Sequence, residues 1–465
     1  MTELKDRFAE LPAARQKLLL RRLKEKRQRQ SDRLPTSAKR QSGEPFPLSA
    51  SQERLWFLEQ LTPGTAAYNI PNALRLTGEL DTPTFEAALR AMVRRHESLR
   101  TIFPASDDQA EQKILPQVEI DLPVIDLSRL DEAASEPLAR RLIHQVAGRA
   151  FDIAHGPLLS AGLIRLEERE HQLILVIHHI VADGWSLGIL QRDLAKTYAT
   201  LRGDTADSTL PELPIQYPDF ADWQKAWLEG DGPKEQIEHW RQQLEGVPIL
   251  ELTPDRPRPR VQTFRGDSRW VELPAALVTR LRDLGQQEAA ASLFMVLLAG
   301  FKAVLYRYTG QDDLAIGTFI AGRNRPETEN LIGFFVNNLT LRTRLDGRSG
   351  FRQLLRSVRR TTLDAYAHQD IPFEKLLEIL QPERDMSRPS LFQIMCVLQN
   401  TPAGDGAFPG LEAETVHLDG GQSNFDLTVW FHEVGDEVRG QLQFNADLYD
   451  ASTIERFAGH LARLF

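Results

Sequence analysis

The sequence predicts an α/β fold that is divided into two halves. Strand-like apolar runs alternate with helical patterns from Pro47 to about residue 205, and the same mixture recurs from there to the end of the chain. The 465 residues are about three times a typical domain length, and 42% of them are hydrophobic, which suits a large core. We therefore divide the chain into a leader (1–46), an N-terminal half (47–210) and a C-terminal half (211–465).

The leader is strongly basic. Residues 1–40 contain 13 Lys or Arg and 5 Asp or Glu, a net charge of +8, whereas the whole chain carries −9. Leucines within the basic stretch recur at helical spacing, and residues 31–46 are rich in Ser, Pro, Arg and Gly. We interpret the leader as a solvated helix followed by a linker. A docking element for an upstream protein is the alternative.

In the N-terminal half, the spacing of hydrophobic residues predicts helices and strands in alternation. Residues 81–92 form a predicted helix, with Phe85, Leu89 and Met92 on one face. Residues 172–180 are almost continuously apolar, as in a strand buried on both faces. Leucines then recur at helical spacing, and Ser186 is in the place of that helix's N-cap.

The C-terminal half contains an aromatic helix around residues 220–227 and then an extended connection over residues 254–259, where three prolines exclude a helix. Residues 289–308 form a predicted buried helix. The remaining strand-like runs lie at residues 314–320, 339–345, 392–398, 425–431 and 438–444.

Composition excludes several classes of function. A net charge of −9 and a sequence pI near 5.8 argue against a nucleic-acid binder, which usually has a basic face. The single cysteine, Cys396, excludes both a disulfide within one chain and a cysteine-based zinc site. No apolar run reaches the roughly 18 residues of a membrane helix, and the N-terminus lacks a signal peptide. We expect a cytoplasmic protein that binds neither nucleic acid nor a membrane.

The most informative segment is the end of the buried strand, residues 178–186 (HHIVADGWS). Neighbouring side chains of a strand point to opposite faces, so His178 and His179 do not face one cavity. This geometry disfavours a metal site. Either both histidines simply end a core strand, or one faces a cavity while the other makes internal hydrogen bonds. Asp183 would orient a group or pair with an arginine, and Gly184 would permit a tight turn.

This segment resembles the His-His-x-x-x-Asp-Gly signature of the condensation domains of nonribosomal peptide synthetases. Six further segments resemble that family's motifs in the family's order, from about residue 46 to 465. They are residues 48–58 (LSASQERLWFL), 95–101 (RHESLRT), 217–224 (YPDFADWQ), 332–337 (IGFFVN), 368–374 (HQDIPFE) and 384–388 with 391–393 (RDMSR, LFQ). One departure is Phe319, which stands where the family commonly has a proline.

The resemblance implies a fold of two chloramphenicol acetyltransferase-like subdomains that form a V with a central tunnel. It also implies that two carrier proteins deliver thioester substrates on 4'-phosphopantetheine arms, with no covalently bound cofactor. The acceptor amine then attacks the donor acyl or peptidyl carbonyl. The expected partners are donor and acceptor peptidyl carrier proteins and an adjoining adenylation domain.

The resemblance also assigns roles to residues. His179 faces the cavity, where it accepts or hydrogen-bonds the proton of the amine. His178, Asp183 and Gly184 are structural at the active site. Asp183 is expected to pair with Arg95 or Arg100. The candidates for the tunnel lining are Trp185, Ser186 and Asn337.

Three alternatives remain within this interpretation. The motifs are most similar to those of domains that join two L-configured residues. A starter domain, which N-acylates the first amino acid from acyl-CoA or an acyl carrier, is favoured by the start at Met1 without an upstream carrier, and would suggest a lipopeptide product. A catalytically silent, condensation-like recruitment platform is the alternative from another functional class.

Overall fold

The computed structural model describes residue 34 and residues 45–106, 109–204, 210–383, 385–399, 408–416, 418 and 421–465. The predicted helix and most of the linker of the basic leader lie outside the described residues. The described helices are α1 (Ala50–Leu61), α2 (Thr82–Arg95), α3 (Glu132–Ala147), α4 (Gly184–Arg202), α5 (Tyr217–Glu229), α6 (Lys234–Leu244), α7 (Ala275–Ala289), α8 (Leu293–Thr309), α9 (Phe351–Ala367), α10 (Phe373–Leu380) and α11 (Ala451–Leu464).

Fifteen strands lie within the same described ranges. They are β1 (Asn69–Gly78), β2 (Thr101–Ile102), β3 (Ala105–Ser106), β4 (Gln109–Ala110), β5 (Lys113–Ile114), β6 (Val124–Asp126), β7 (Leu159–Glu167), β8 (Glu170–His178), β9 (Gly266–Leu273), β10 (Asp313–Ile320), β11 (Asn337–Arg344), β12 (Ile394–Gln399), β13 (Leu411–Val416), β14 (Leu427–Val434) and β15 (Glu437–Asn445). Helices and strands alternate in both halves, and this arrangement agrees with the predicted α/β class.

The N-terminal half is built on a five-stranded sheet with the strand order β13-β1-β8-β7-β6. Strand β8 lies at its centre and is buried along almost its whole length. Its edge strand β13 comes from the C-terminal half of the sequence and pairs antiparallel with β1. A boundary near residue 210 therefore describes the sequence but does not separate the two sheets completely.

The C-terminal half contains a six-stranded sheet with the order β11-β10-β12-β14-β15-β9. Helix α8 packs in the core of this half. Twelve of its residues are buried, Lys302 among them, because the sequence of the helix is apolar around almost its whole circumference. The ammonium group of Lys302 donates hydrogen bonds to Leu341 O (2.6 Å) and Thr343 Oγ1 (2.8 Å) of β11. Buried cations require such partners.

A small hydrophobic cluster of the C-terminal half lies beside the signature segment and is linked to the N-terminal half by a side-chain contact. Tyr217 and Phe220 of α5 pack there with Leu331 and Phe335, and Leu34 from the leader is buried in the same cluster. The hydroxyl of Tyr217 lies 2.8 Å from Ser49 Oγ and donates to Phe334 O, also at 2.8 Å. This cluster fixes residues 331–335 relative to the N-terminal half.

Most predicted elements are displaced by only a few residues at their ends. The predicted helix 289–308 is Leu293–Thr309, and the predicted strand 172–180 is Glu170–His178. No single helix in the described ranges is long and apolar enough to cross a membrane. Helices α7 and α8 meet the criteria of length and composition only when they are taken together, and the two helices are bent by 93° relative to each other.

Candidate active site

The signature segment begins where strand β8 gives way to a 3₁₀ turn over His179–Val181. His178, the last residue of β8, is buried, and its Nδ1 accepts a hydrogen bond from the Ile180 N–H at 3.2 Å. The proton must then reside on Nε2, which donates to Glu59 of helix α1 at 3.2 Å. His178 is therefore held inside the N-terminal half by its neighbours.

His179 lies in a different environment because the 3₁₀ turn rotates it away from the strand. Its side chain is partly exposed, and its ring meets the Phe334 ring edge-on, with centroids 4.7 Å apart. Its backbone N–H donates to Tyr68 O at 2.8 Å, which anchors the turn to the chain entering β1. The two histidines thus face separate surroundings, one polar and internal and the other at the junction of the halves.

The pKa of His179 is lowered from its ordinary value. Desolvation by burial is the largest cause. The carboxylate of Asp183 and the backbone carbonyls of His179 and Ala182 oppose this shift without reversing it. The imidazole is therefore neutral near pH 7, which is the form that can accept a proton.

Asp183 forms a buried ion pair, but its partner is Arg323. Arg323 Nη1 lies 2.8 Å from Asp183 Oδ2, and Nη2 lies 3.2 Å from Oδ1. Asp183 also accepts hydrogen bonds from the N–H groups of Ser186 (2.9 Å) and Phe335 (3.0 Å). Burial alone would raise the pKa of this carboxyl, but Arg323 and the Ser186 hydrogen bonds hold it below its ordinary value.

The expectation that Asp183 pairs with Arg95 or Arg100 is wrong. Arg95 donates to Pro211 O at 2.6 Å and lies 3.4 Å from the carboxylate of Asp193. Arg100 donates to Leu115 O at 2.6 Å. Both arginines lie at the end of helix α2 or just after it, where nearby groups bind them. The cation for Asp183 comes instead from the chain that follows strand β10 in the other half.

The expectations that Ser186 caps helix α4 and lines a tunnel are both wrong. Asp183 is the N-cap, and Ser186 is the third residue of the helix. The Ser186 side chain is fully buried, donates to Asp183 Oδ1 at 2.7 Å, and accepts from Arg323 Nη2 at 2.9 Å and from the Gly333 N–H at 3.1 Å. It connects the ion pair to residues 331–335.

Three other predicted residues lie around this network. Trp185 is half-buried, and its Nε1 donates to Glu329 O at 3.1 Å, so it bridges the two halves. Gly184 is exposed, and a Cβ at this position would meet nothing within 4 Å, so the turn does not depend on glycine here. Asn337 binds Ile371 O and the Phe373 N–H with its amide, at 2.8 and 2.9 Å, and borders a small cavity shared by both halves.

Sequence reasoning missed Glu59, Arg323 and Phe334. Arg323 could have been considered, because a buried aspartate needs a cation and Arg323 lies three residues after a mostly buried strand. Glu59 gives a weaker signal, because a single glutamate within a helical pattern does not by itself indicate a buried partner for a histidine. Within the described ranges, no group of three or more His, Cys, Asp and Glu side chains is placed to hold a metal ion.

This arrangement can perform proton transfer or hydrogen bonding at one neutral imidazole. The groups around it are engaged with each other: Asp183 with Arg323, and His178 with Glu59. Since Asp183 stays ionised and fully bonded, it is unsuited to act as a base. His179 is the group of the signature that is both neutral and partly exposed.

Comparisons with known proteins show the family of this chain. The family described as Condensation domain matches residues 43–465. One of the linear gramicidin synthase proteins of Brevibacillus parabrevis is 47% identical over 427 residues, which cover 90% of this chain and 8% of that protein. The chain spans less than a tenth of the gramicidin synthase proteins that it matches.

Two solved structures are also similar. The X-domain from teicoplanin biosynthesis has a TM-score of 0.82 and 29% identity, over 92% of this chain and 95% of that one. The first condensation domain of the calcium-dependent antibiotic synthetase, solved with a substrate analogue, has a TM-score of 0.75 and 22% identity, over 90% and 96%. The predicted pair of acetyltransferase-like subdomains is consistent with these structures.

Proposed function

Since this chain belongs to the condensation domain family of nonribosomal peptide synthetases, we propose that it joins two carrier-bound substrates through an amide bond. The observation that carries the proposal is the neutral, partly exposed imidazole of His179 at the junction of the halves. Its position is fixed by the Tyr68 hydrogen bond and the Phe334 ring.

In the proposed reaction, the amine of the acceptor aminoacyl thioester attacks the carbonyl carbon of the donor thioester. The new C–N bond forms and the donor C–S bond breaks, so that the donor pantetheine leaves as a thiolate. His179 accepts the proton that the amine loses, or orients the amine by a hydrogen bond, and the thiolate finally takes up that proton. The substrates arrive on phosphopantetheine arms of carrier proteins.

We propose the L-to-L subtype within this reaction. The paired histidines argue against heterocyclisation, and the segments 48–58 and 217–224 argue against an epimerisation domain. A starter domain that uses an acyl-CoA or acyl-carrier donor is the alternative. In either case the partners are carrier proteins and an adjoining adenylation domain.

A second candidate function is supported by the likeness to the X-domain, which was also solved as a complex with OxyB. In that case the chain would recruit a partner without forming amide bonds. The retained His179, neutral and partly exposed, favours the catalytic function.

A condensation assay followed by intact-protein mass spectrometry separates these functions. One aminoacyl acceptor carrier is mixed in turn with an aminoacyl-carrier, a peptidyl-carrier, an acyl-carrier or an acyl-CoA donor. Product from the aminoacyl or peptidyl carrier supports the elongating subtype. Product only from acyl donors indicates a starter domain, and no product from any donor contradicts the catalytic proposal.

A further inference from the structure

The six-stranded sheet carries two aromatic side chains, Phe319 and Trp430, on the face opposite the one that packs against helix α11. On β14, Phe431 points towards the helices and meets the Phe465 ring at the end of α11, with centroids 6.3 Å apart. Since side chains alternate along a strand, Trp430 lies on the other face. Trp430 is half-buried, whereas Phe431 is fully buried.

The strand register brings Phe319 into line with Trp430. Trp430 pairs with Val397 of β12, and Gly317 of β10 pairs with Met395, two residues before Val397. Phe319 therefore lies across Val397 from Trp430. Their rings stack with centroids 5.7 Å apart and planes 24° apart, above the buried Val397. We call Phe319, Val397 and Trp430 the aromatic row.

The orientation of the aromatic row is fixed by its neighbours. Trp430 Nε1 donates to Gln443 Oε1 at 3.3 Å, and Gln443 Nε2 donates to Gln422 O at 2.7 Å. Gly317 lies two residues before Phe319 on the same face of β10. The ring of Phe392 fills the space above Gly317, so that a Cβ on Gly317 would lie 2.2 Å from that ring. The rings thus form a preorganised apolar surface that is closed on one side.

The aromatic row is continuous with the candidate active site through strand β10. Arg323, which pairs with Asp183, follows Phe319 by four residues, a distance of at most about 14 Å along an extended chain. On the other side of β10, Phe319 pairs with Asn338, next to Asn337. Phe319 and Arg323 therefore lie on one continuous segment that ends at the Asp183 ion pair.

We propose that the aromatic row binds a large apolar side chain of one of the two thioester substrates and favours it over small or acidic ones. This inference rests on the proposed amide-forming function. The aromatic row presents the ring faces of Phe319 and Trp430 and the buried side chain of Val397. Each of these groups favours contact with apolar side chains over charged ones. The occupant is an aromatic or branched aliphatic side chain, carried by either the donor or the acceptor.

Competition between loaded carriers tests the proposal. Carriers bearing Phe, Leu, Ala or Asp compete as acceptors against a fixed donor, and then as donors against a fixed acceptor. In one of the two positions, we expect the wild type to favour Phe or Leu over Ala by about tenfold or more, the scale of discrimination in apolar pockets. Equal use of all residues in both positions would overturn the inference.

Two variants assign any preference to the aromatic row. Phe319→Ala should reduce the preference about fivefold or more. Phe319→Leu keeps apolar volume and should retain most of the preference. Val434→Ala is the matched control, since Val434 is an exposed apolar residue on the same face of β14. An undiminished preference in Phe319→Ala would contradict the proposal.

A binding measurement keeps the test independent of catalysis. Phenylalanyl- and alanyl-pantetheine amides are titrated into the wild type and Phe319→Ala by calorimetry. We expect about tenfold tighter binding of the phenylalanyl compound to the wild type and a loss of that difference in the variant. Equal affinities in the wild type would overturn the inference. An absence of amide product with a retained binding difference would count against the proposed reaction alone.

Discussion

At the scale of single residues, the site depends on an ion pair that contributes no chemistry of its own. Asp183 and Arg323 are both buried, and the pair connects the N-cap of α4 to the chain after β10. The partner was missed because a sequence shows that a buried aspartate needs a cation but not which arginine reaches it. Arg95 and Arg100 were near in the motif order, and Arg323 is near in space.

Asp183→Ala should therefore act mainly through stability. Removing one partner leaves the Arg323 charge buried and unpaired, which typically costs about 3–5 kcal/mol of unfolding free energy. Urea denaturation measures this loss, with Asp231→Ala, in an exposed surface pair with Lys234, as the control that should not change. A normally stable but inactive Asp183→Ala protein would contradict the structural role of Asp183.

The pH dependence of the rate follows from His179. Burial lowers the pKa of this imidazole from its ordinary value, so protonation, which blocks proton acceptance, occurs only at more acidic pH. We expect the single-turnover rate to rise with pH through this lowered pKa and to have reached its plateau by pH 7. An acid limb with its midpoint above the ordinary histidine pKa would contradict a neutral, desolvated His179.

At the scale of elements, strand β10 and its continuation join the two halves. Gly322 follows β10 with a φ of +65°, and a Cβ at this position would lie 2.0 Å from Phe335 O. Only glycine fits there, because a side chain would be strained and would also clash with the backbone. This glycine sets the direction of the chain that carries Arg323.

Gly322→Ala should destabilise the protein by at least about 1–3 kcal/mol, the usual cost of one strained backbone position. Gly184→Ala is the matched control, because a Cβ there meets nothing within 4 Å and no positive φ is present. Thermal unfolding of both variants gives the comparison. Equal melting temperatures for the two would show that the chain after β10 adapts easily.

Element types and places were largely predictable from the sequence because their signals are local. The apolar run of β8 and the helical spacing in α2 and α8 each indicate their element directly. The N-cap of α4 was missed because Asp183 and Ser186 are both suitable capping residues, and backbone direction decides between them. Strand β13 was missed as part of the N-terminal sheet because its pairing with β1 is set by tertiary structure.

At the scale of the whole molecule, the candidate site exists only where the halves meet. His179 comes from the N-terminal half, whereas Phe334 and Arg323 come from the C-terminal half. The motif order predicted that these segments belong together but not their contacts. The Tyr217 cluster holds them in place from the side of α5.

The most direct test of the central claim is the single-turnover condensation rate of His179→Ala with loaded donor and acceptor carriers. His155→Ala is the control, since His155 is a highly exposed histidine of the same half. We predict that His179→Ala lowers the rate about 10²–10⁴-fold, the scale for losing a general base, while the control keeps the wild-type rate. A folded His179→Ala protein that condenses at the wild-type rate would contradict the account.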